Sequence, residues 1–280
     1  MNQNAVVLLA LGLATHAAGA QAQDVPSGAV ADDKSAESFA GLEEVVVTAR
    51  FKEERLQTIG LSAVALSGES LRDAGASTFQ DIAGQMAGLN LSDRGPNRID
   101  VSFRGMANVT EGNDWQRSTA TVGIYLDDVS VVTPFPTQRS WNMFDVSRVE
   151  VVRGPQGTLY GEGAMGGAVR FVTQDPSLER FEGRVAASWG SYSHSSGNNW
   201  RGDATFSMPL IDDVLGLRLT AFKQDDAGFI DFTGAGVRDA NSFESSGGRI
   251  VLLAKPSENL RVRTSVTYED SDLASEWKVT

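Results

Sequence analysis

The amino-acid sequence predicts a small mixed α/β domain followed by the first antiparallel strands of a transmembrane β-barrel. Residues 51–175 combine short strand and helix patterns with many glycine-containing turns, which is typical of a small α/β unit. Residues 180–280 alternate apolar and polar side chains with a period of two, which indicates strands with one apolar face. Long and short connections alternate between these strands, as they do in membrane barrels.

Composition excludes several classes of function. The chain has 280 residues and a net charge of -12, without any Lys/Arg-rich run, so nucleic acid is not an expected partner. It has no cysteine, which excludes disulfides and thiolate metal sites. Beyond the N-terminal segment no run of about 20 apolar residues occurs, so the sequence predicts no helical membrane span.

The N-terminus is predicted to be a signal peptide at residues 1–22. Residues 5–14 form an apolar run, and small residues follow it, with cleavage expected after Ala20 or Ala22. The four residues before the run contain no Lys or Arg, so only the α-amino group is positive. The alternative is a short buried helix. Residues 23–42 are polar and acidic without periodicity, which predicts a flexible periplasmic linker.

Residues 43–50, with the sequence EEVVVTAR, predict a short isolated strand because valine and threonine favour extended backbone. No adjacent segment is a predicted hairpin partner, so its edge is expected to be free for addition to another protein's sheet. An ordinary edge strand of the following domain is the alternative.

The α/β domain is predicted from local signals. Ser67 is placed to cap a helix at 68–74, which Gly75 ends. Ser77 or Thr78 is placed to cap a second helix, which reaches Met86. Asp145 is placed to cap a turn that leads into one of the strands. Strands are predicted at 61–66, 89–91, 99–103, 149–152 and 168–173, with a hairpin at 121–132 around Asp127 and Asp128.

A glycine-rich segment at 146–173 has the sequence VSRVEVVRGPQGTLYGEGAMGGAVRFVT. Residues 161–166 match the dinucleotide fingerprint G-x-G-x-x-G, but that fingerprint must open a helix. Residues 168–173 are instead β-branched and predict a strand, and no Lys-Ser/Thr pair follows, so neither nucleotide-binding motif is expected. The glycines indicate tight turns and close approach of backbone.

This segment resembles the signature near the end of the plug domain in TonB-dependent outer-membrane receptors. The family pattern is an acidic-hydrophobic helix, here 148–152, followed by Arg-Gly-Pro, Leu-Tyr-Gly and Gly-Gly. Residues 101–105 are similar to a family strand that ends in Arg-Gly, and 123–129 to its strand-turn-strand. The residues that carry the resemblance are Arg104, Gly105, Asp127, Arg153, Gly154, Pro155, Tyr160, Gly161, Gly166 and Gly167.

The resemblance implies a set of partners and site residues. Residues 43–50 are similar to the TonB box, which pairs with the periplasmic energy-transducing protein TonB. The expected TonB contacts are Glu43, Glu44, Val45, Val46, Val47, Thr48 and Ala49. Outer-membrane lipid and a small ligand such as an iron chelate are the other expected partners. Candidate ligand contacts lie in two loops of the plug, 108–118 and 134–141, and are Trp115, Arg117, Phe135, Arg139 and Trp141.

The implied function is active uptake of a scarce ligand across the bacterial outer membrane, with a ferric siderophore or similar iron complex expected first. Cobalamin, haem or an oligosaccharide are alternative ligands. A ligand-binding outer-membrane protein without transport and a secreted soluble β-rich protein are alternative classes. The sequence predicts no group of catalytic, metal-binding or cofactor-binding residues. The chain has two histidines, of which His16 lies in the predicted signal peptide and His194 in a predicted loop, without a plausible triad or metal partner.

The barrel is predicted from about five strands, at 181–189, 200–208, 215–224, 247–255 and 260–269. Each alternates apolar with polar residues, except that Val251 and Leu253 share the face of Arg249. A soluble sandwich gives similar alternation, and the connections decide between them: 209–214 and 256–259 are short, as periplasmic turns are. Trp189, Trp200 and Tyr268 are candidates for interfacial girdles.

Five strands cannot close a barrel. An open sheet would leave unpaired backbone groups in lipid, where they cannot be satisfied. The resemblance implies a family barrel of the plugged, 22-stranded kind. The sequence is therefore expected to be the signal, coupling and gating portion of a longer, truncated transporter that cannot transport alone.

Overall fold

The computed structural model describes most of the chain beyond residue 61. The described residues are 6–15, 46–47, 54–55, 62–76, 78–83, 86, 88–93, 98–103, 105–107, 121–131, 138–139, 142–161, 163–193, 195–234 and 236–273. They form two main bodies, an α/β domain and a large antiparallel sheet, called the barrel sheet below. No helix in these ranges combines the length and hydropathy of a membrane span.

The barrel sheet begins, in chain order, with the apolar N-terminal segment. Residues Val6–Thr15 form strand β1, which pairs antiparallel with the last strand of the sheet, so that Val6 lies opposite Glu269 and Thr15 opposite Leu260. The alternative of a buried helix is therefore wrong: the segment is extended, and its backbone pairs along an edge that otherwise ends the sheet. Its export role stays a prediction.

The next described strands correct the prediction for residues 43–50. Val46–Val47 (β2) pairs antiparallel with Glu54–Arg55 (β3), with Val46 opposite Arg55 and Val47 opposite Glu54. The segment thus has a hairpin partner that the sequence did not predict, because two residues of a charged stretch give no strand pattern.

The α/β domain is built on a five-stranded sheet with the order β4-β11-β12-β8-β9. Its central strands β11 and β12 are antiparallel, whereas β12 and β8 are parallel. A smaller sheet of β5, β6, β7 and β10 packs beside it. The strands are β4 Ala63–Ser67, β5 Leu89–Asp93, β6 Arg98–Phe103, β7 Met106–Ala107, β8 Val122–Leu126, β9 Val129–Ser130, β10 Gln138–Arg139, β11 Val146–Arg153 and β12 Gly167–Thr173.

Two short helices cover one face of the domain where the sequence predicted them. Helix α1 is Gly68–Asp73, and the Ser67 hydroxyl accepts the Ser70 N–H at 3.2 Å, so Ser67 is the N-cap. Helix α2 is Phe79–Ala83. The Thr78 N–H and hydroxyl both donate to the Asp81 carboxylate, at 2.7 and 2.9 Å, as in a capping box, while Ser77 lies outside the described residues.

The core of the domain lies between these helices and the sheets. The predicted stripe of helix α2 is buried, and Phe79 meets Phe171 edge-on with ring centroids 4.9 Å apart. Met86 belongs to the same core, but described helix ends at Ala83. The fully buried aromatic and aliphatic side chains are Phe79, Phe103, Phe171, Ile82, Ile99, Ile124, Val101, Val122 and Val149.

The resemblance placed a helix at 148–152, and this is wrong. Residues Val146–Arg153 form strand β11, which pairs with β12 on one side and β4 on the other. Alternating β-branched residues fit a central strand buried on both faces better than a helix. Among the described residues of the signature, the only regular helix is a single turn, α3 Gly157–Tyr160, which the sequence did not predict.

Five long strands complete the barrel sheet, and the predicted strands are confirmed with bounds extended by up to four residues. They run antiparallel in chain order, with tight turns at 212–214 and 258–259 and longer connections at 191–198 and 227–242. The strands are β13 Glu182–Gly190, β14 Asn199–Ile211, β15 Leu215–Asp226, β16 Phe243–Ser257 and β17 Leu260–Leu273.

Burial in the barrel sheet is inverted relative to a soluble protein. The apolar face is exposed, with Val185 at 69% and Trp189 at 74% of full exposure, while Thr205 and Ser207 on the polar face are 2% and 0% exposed. The polar face is covered by the α/β domain, and the apolar face has no cover among the described residues. This pattern is expected of a wall that faces lipid outside and a filled lumen inside, and a soluble sandwich would show the reverse.

Candidate functional site: the contact between the α/β domain and the barrel sheet

Charged side chains connect the α/β domain to the polar face of the barrel sheet at two places. The first, the Asp145 cluster, joins Asp145 to Arg218, Thr205 and Thr220. The Arg218 Nη2 and Nε donate to Asp145 Oδ1 at 2.6 and 2.9 Å, and the Thr220 hydroxyl donates to Oδ2 at 2.7 Å. Asp145 and Arg218 are both buried, so this is a desolvated, two-point ion pair.

The position of Asp145 follows from local structure. It lies in the turn at 144–145 that leads into β11, as the sequence predicted, but its carboxylate bonds outward to the barrel sheet. Arg218 and Thr220 are alternate residues of β15 and therefore share the polar face of that strand. The turn thereby fixes the start of strand β11 against the barrel sheet.

The second place, the Asp127 cluster, lies at the same end of the five-stranded sheet, on the other side of the end of β12. Asp127 is in the β8–β9 turn with φ of 54°, and its carboxylate accepts the Thr173 N–H at 2.8 Å and the Arg263 Nη1 at 3.0 Å. Arg263 also donates from Nε to Asp175 at 3.1 Å, and Arg261 pairs with the same carboxylate. One guanidinium thus joins two acids of the α/β domain.

The surroundings of Asp127 favour its charged form. Burial alone would raise the pKa of this carboxyl, but the positive charges of Arg263 and Arg249 and the hydrogen bonds from Thr173 together lower the pKa below its ordinary value of 3.8. Asp127 is therefore ionised at neutral pH, and the ion pair with Arg263 is complete.

Two further contacts extend the interface along β13 and β14. The Asn142 amide donates to Asp203 Oδ1 at 2.7 Å, and Asp203 is paired with Arg201 on the same strand at 2.8 Å. The guanidinium of Arg184 lies 4.1 Å from the centroid of the Phe144 ring and donates to the Phe144 carbonyl. These contacts surround the Asp145 cluster on the barrel side.

Inside the α/β domain, a buried acid orders the sheet surface. Glu150 is 1% exposed and accepts from Arg148 Nε at 2.7 Å and Arg170 Nη1 at 3.4 Å. Arg170 also donates to Asp128 Oδ1 at 2.6 Å and to the Asp127 carbonyl at 2.8 Å. Arg170 therefore braces the β8–β9 turn that carries Asp127 toward the barrel sheet.

The glycine-rich signature folds as a closed loop beside this network. The Gly154 N–H donates to the Gly166 carbonyl at 3.1 Å, which closes the loop at its base. Gly154 and Gly161 have φ of 89° and 73°, which other residues rarely adopt. A side chain at Gly167 would place its Cβ 2.5 Å from the Val152 carbonyl oxygen. Glycine is thus required for turns and close packing at these positions, and the loop holds no phosphate-binding helix.

Tyr160 anchors the loop from within. The Tyr125 hydroxyl donates to the Tyr160 carbonyl, and the two rings lie with centroids 5.0 Å apart. Burial raises the pKa of the Tyr160 phenol to about 12, so it is neutral at physiological pH. The side chains of Tyr125, Tyr160, Ala164 and Ala168 form a small second core.

Only some of the predicted site residues lie in the part of the chain that the structure describes. Gly105 lies in a turn with φ of 81°, and Arg153 ends strand β11, whereas Arg104 lies outside the described residues. Arg139 lies in strand β10, paired opposite Arg98, rather than in an open loop. The other candidate ligand contacts, Trp115, Arg117, Phe135 and Trp141, lie outside the described residues, as do the predicted TonB contacts except for the backbone of Val46 and Val47.

The sequence did not single out the residues that hold the two bodies together. Arg218, Arg249 and Arg263 were assigned only to the polar face of predicted strands, and Asp145 to a turn. A signal existed: arginine on the inward face of a membrane barrel needs an acidic partner. Within the described ranges, no three histidine or acidic side chains group closely enough to hold a metal ion.

Comparison with known proteins places this geometry in a family. Residues 55–168 match the family model described as TonB-dependent Receptor Plug Domain. The pesticin receptor of Yersinia pestis is 31% identical over 219 residues, which are 76% of this chain and 30% of that receptor. The metal-pseudopaline receptor CntO of Pseudomonas aeruginosa is 37% identical over 89 residues, 31% of this chain and 12% of that protein. The chain thus spans less than a third of these relatives.

Solved structures share the same arrangement. The ferric yersiniabactin uptake receptor FyuA from Yersinia pestis matches with a TM-score of 0.58 and 28% identity, over 71% of this chain and 29% of that one. The ferripyoverdine receptor of Pseudomonas aeruginosa matches with a TM-score of 0.64 over 81% of this chain and 27% of that one. At 17% identity the second likeness concerns the fold alone. With an α/β domain seated against the polar face of an inverted sheet, this chain belongs to the TonB-dependent outer-membrane receptors.

Proposed function

We propose that this chain supplies the gating and energy-coupling part of a receptor that imports a ferric siderophore or a similar iron complex across the outer membrane. Members of this family are transporters rather than enzymes. The observation that carries the proposal is the interface itself: the plug is held in the lumen by ion pairs. Such pairs fix one geometry yet separate without breaking a hydrophobic core.

The ligand class is supported by the relatives. FyuA is a ferric yersiniabactin uptake receptor, and the second structure is a ferripyoverdine receptor. Both ligands are iron chelates, which is why an iron complex is preferred over cobalamin, haem or an oligosaccharide. Ligand would bind at the side of the long connections, where Trp115, Arg117, Phe135, Arg139 and Trp141 remain proposed contacts.

TonB is the proposed partner on the opposite side. Residues 43–49 include strand β2, which would leave β3 and add to a sheet of TonB, so that backbone hydrogen bonds carry the pulling force. The plug would then shift against the barrel sheet and open a path. The short two-residue pairing of β2 with β3 costs little to exchange.

The test is deletion of residues 43–49 in the receptor, followed by uptake and binding measurements with radiolabelled ferric yersiniabactin and ferripyoverdine. We expect energy-dependent uptake to be lost and binding to whole cells to be unchanged, because the segment is assigned to TonB and not to ligand binding. A deletion of equal length in the linker, residues 30–36, is the control and should leave both unchanged. Uptake that survives the first deletion would refute the TonB assignment.

A further inference from the structure

A cavity of about 330 Å³ lies between helix α1 of the plug and strands β13, β14 and β15 of the barrel sheet. Three arginines line it: Arg72 from the last turn of α1, Arg184 from β13 and Arg218 from β15. The cavity lies near the 212–214 turn, at the end of the sheet with the short connections. It is separate from the long connections, where ligand is proposed to bind.

The charges that line this cavity do not balance. Arg218 is paired with Asp145, and Glu182, the acid on the cavity wall, is paired with Arg180 at 3.0 Å. Arg72 and Arg184 have no carboxylate within ion-pair distance in the described part of the chain. Arg184 donates only to the Phe144 carbonyl, and its Nε is buried without a hydrogen-bond partner. Neither Arg72, which is exposed, nor the partly buried Arg184 is neutralised by a salt bridge from a described residue, although Asp145 and Asp203 act on Arg184 at longer range.

Such an arrangement favours the entry of a counter-ion. A buried guanidinium N–H without an acceptor loses its hydration without replacement. Two like charges at one cavity also repel each other. An oxyanion would accept from both guanidinium groups, because their planar donor pairs match the geometry of carboxylate and phosphate oxygens.

We propose that this cavity binds a small oxyanion, a phosphate or a carboxylate, that bridges Arg72 of the plug to Arg184 of the barrel sheet. The bound anion is a third link across the interface, beside the Asp145 and Asp127 clusters. It differs from them because its strength depends on an anion from solution. The site does not depend on which ligand the receptor imports.

The experiment uses the purified receptor in detergent and measures its thermal unfolding against inorganic phosphate or citrate, with chloride adjusted to constant ionic strength. A ligand that binds the folded state raises Tm with concentration, which gives an apparent Kd. We expect phosphate or citrate to raise Tm and chloride not to. Arg72→Gln and Arg184→Gln should each weaken the apparent Kd about tenfold, since each removes a charge-assisted contact.

The control is Arg238→Gln, which removes an exposed arginine in the long connection at 227–242, outside the cavity lining, and should leave the anion effect unchanged. Arg184→Lys keeps the charge and should retain part of the effect if Arg184→Gln folds poorly. A rise with citrate but not phosphate would identify a carboxylate ligand, and the reverse a phosphate. An equal response to all anions, or an equal response of wild type and both arginine variants, would overturn the proposal.

Discussion

Asp127 shows how one residue can serve the turn, the sheet and the interface together. Its positive φ of 54° is tolerated because aspartate is among the few non-glycine residues that enter this region. Its carboxylate then reaches Thr173 in the neighbouring strand and Arg263 in the barrel sheet. The sequence predicted the turn at Asp127 and Asp128, but turn chemistry alone did not indicate that the acid bonds outside its own domain.

We predict that Asp127→Asn destabilises the plug by about 2 kcal/mol at neutral pH, because a charged hydrogen-bond acceptor for Arg263 is lost. The pKa of Asp127 is lowered in the folded state, so its contribution is complete above about pH 4 and is lost as pH falls through the folded-state pKa. Urea unfolding of wild type and variant from pH 3 to 8 measures this. The difference should be constant above pH 5 and shrink at the acid end.

Asp128→Asn is the matched control for that series. Asp128 is the next residue of the turn, but its side chain is 54% exposed and pairs with Arg170 within the plug. Exposed pairs contribute little, so its effect should stay under about 1 kcal/mol. If Asp128→Asn lowered the stability of the plug more than Asp127→Asn, this would contradict the assignment of Asp127 as a link to the barrel sheet.

At the scale of elements, periodicity predicted the barrel strands well. The alternation of side chains is itself the physical property that divides a lipid face from a lumen face, so it identified all five strands. Strand β16 departs from this alternation for a reason that the sequence could not show. Its Val251 and Leu253 share the inward face with Arg249 and are buried there. An inward face against a plug accepts apolar side chains, whereas a water-filled lumen would not.

The α/β domain was predicted less completely, and the misses have local causes. For β11 the resemblance gave a helix at 148–152 whereas the local pattern gave a strand at 149–152, and pairing with β12 and β4 confirms the strand. Strands β3, β7 and β10 have two residues each, which is too short for any periodic signal. Strand β9 is equally short but was predicted as the second strand of the hairpin at 121–132, and its pairing with β8 confirms this. Caps were predicted correctly at Ser67 because they depend on adjacent residues alone.

The exposed apolar face of the barrel sheet leads to a test at the level of a strand. Val266 lies in the middle of β17 on this face and is 39% exposed. We predict that Val266→Arg destabilises the membrane-inserted barrel by about 2–4 kcal/mol, because a charge would be placed in lipid. Val266→Leu keeps the apolar surface and should be neutral. Heat-modifiable mobility of the barrel in gels and urea unfolding in vesicles measure both, and equal behaviour of the two variants would argue against a lipid-facing β17.

For the whole molecule, the decisive feature is that the two bodies meet largely through ion pairs and hydrogen bonds, with apolar side chains such as Val251 and Leu253 buried beside them. Sequence predicted each body but not their contacts, because Asp145 and Arg218 are separated by 73 positions and no local pattern links them. The two clusters lie at the same end of the plug's central strands, because the start of β11 pairs with the end of β12, which lies beside the end of β8. The same edge of the plug therefore carries both ionic links to the barrel sheet, one to β15 and one to β17.

The pairing of Asp145 with Arg218 can be tested by exchanging its charges. Asp145→Asn alone should cost about 3 kcal/mol of plug stability, since it leaves a buried guanidinium without its acid. Asp145→Arg combined with Arg218→Asp should recover more than half of the loss from Asp145→Arg alone, because the pair is restored with its direction reversed. Protease sensitivity of the plug in increasing urea measures each variant in the same receptor. Strictly additive losses of plug stability would mean that the two residues act independently and that other contacts hold the plug against the barrel sheet.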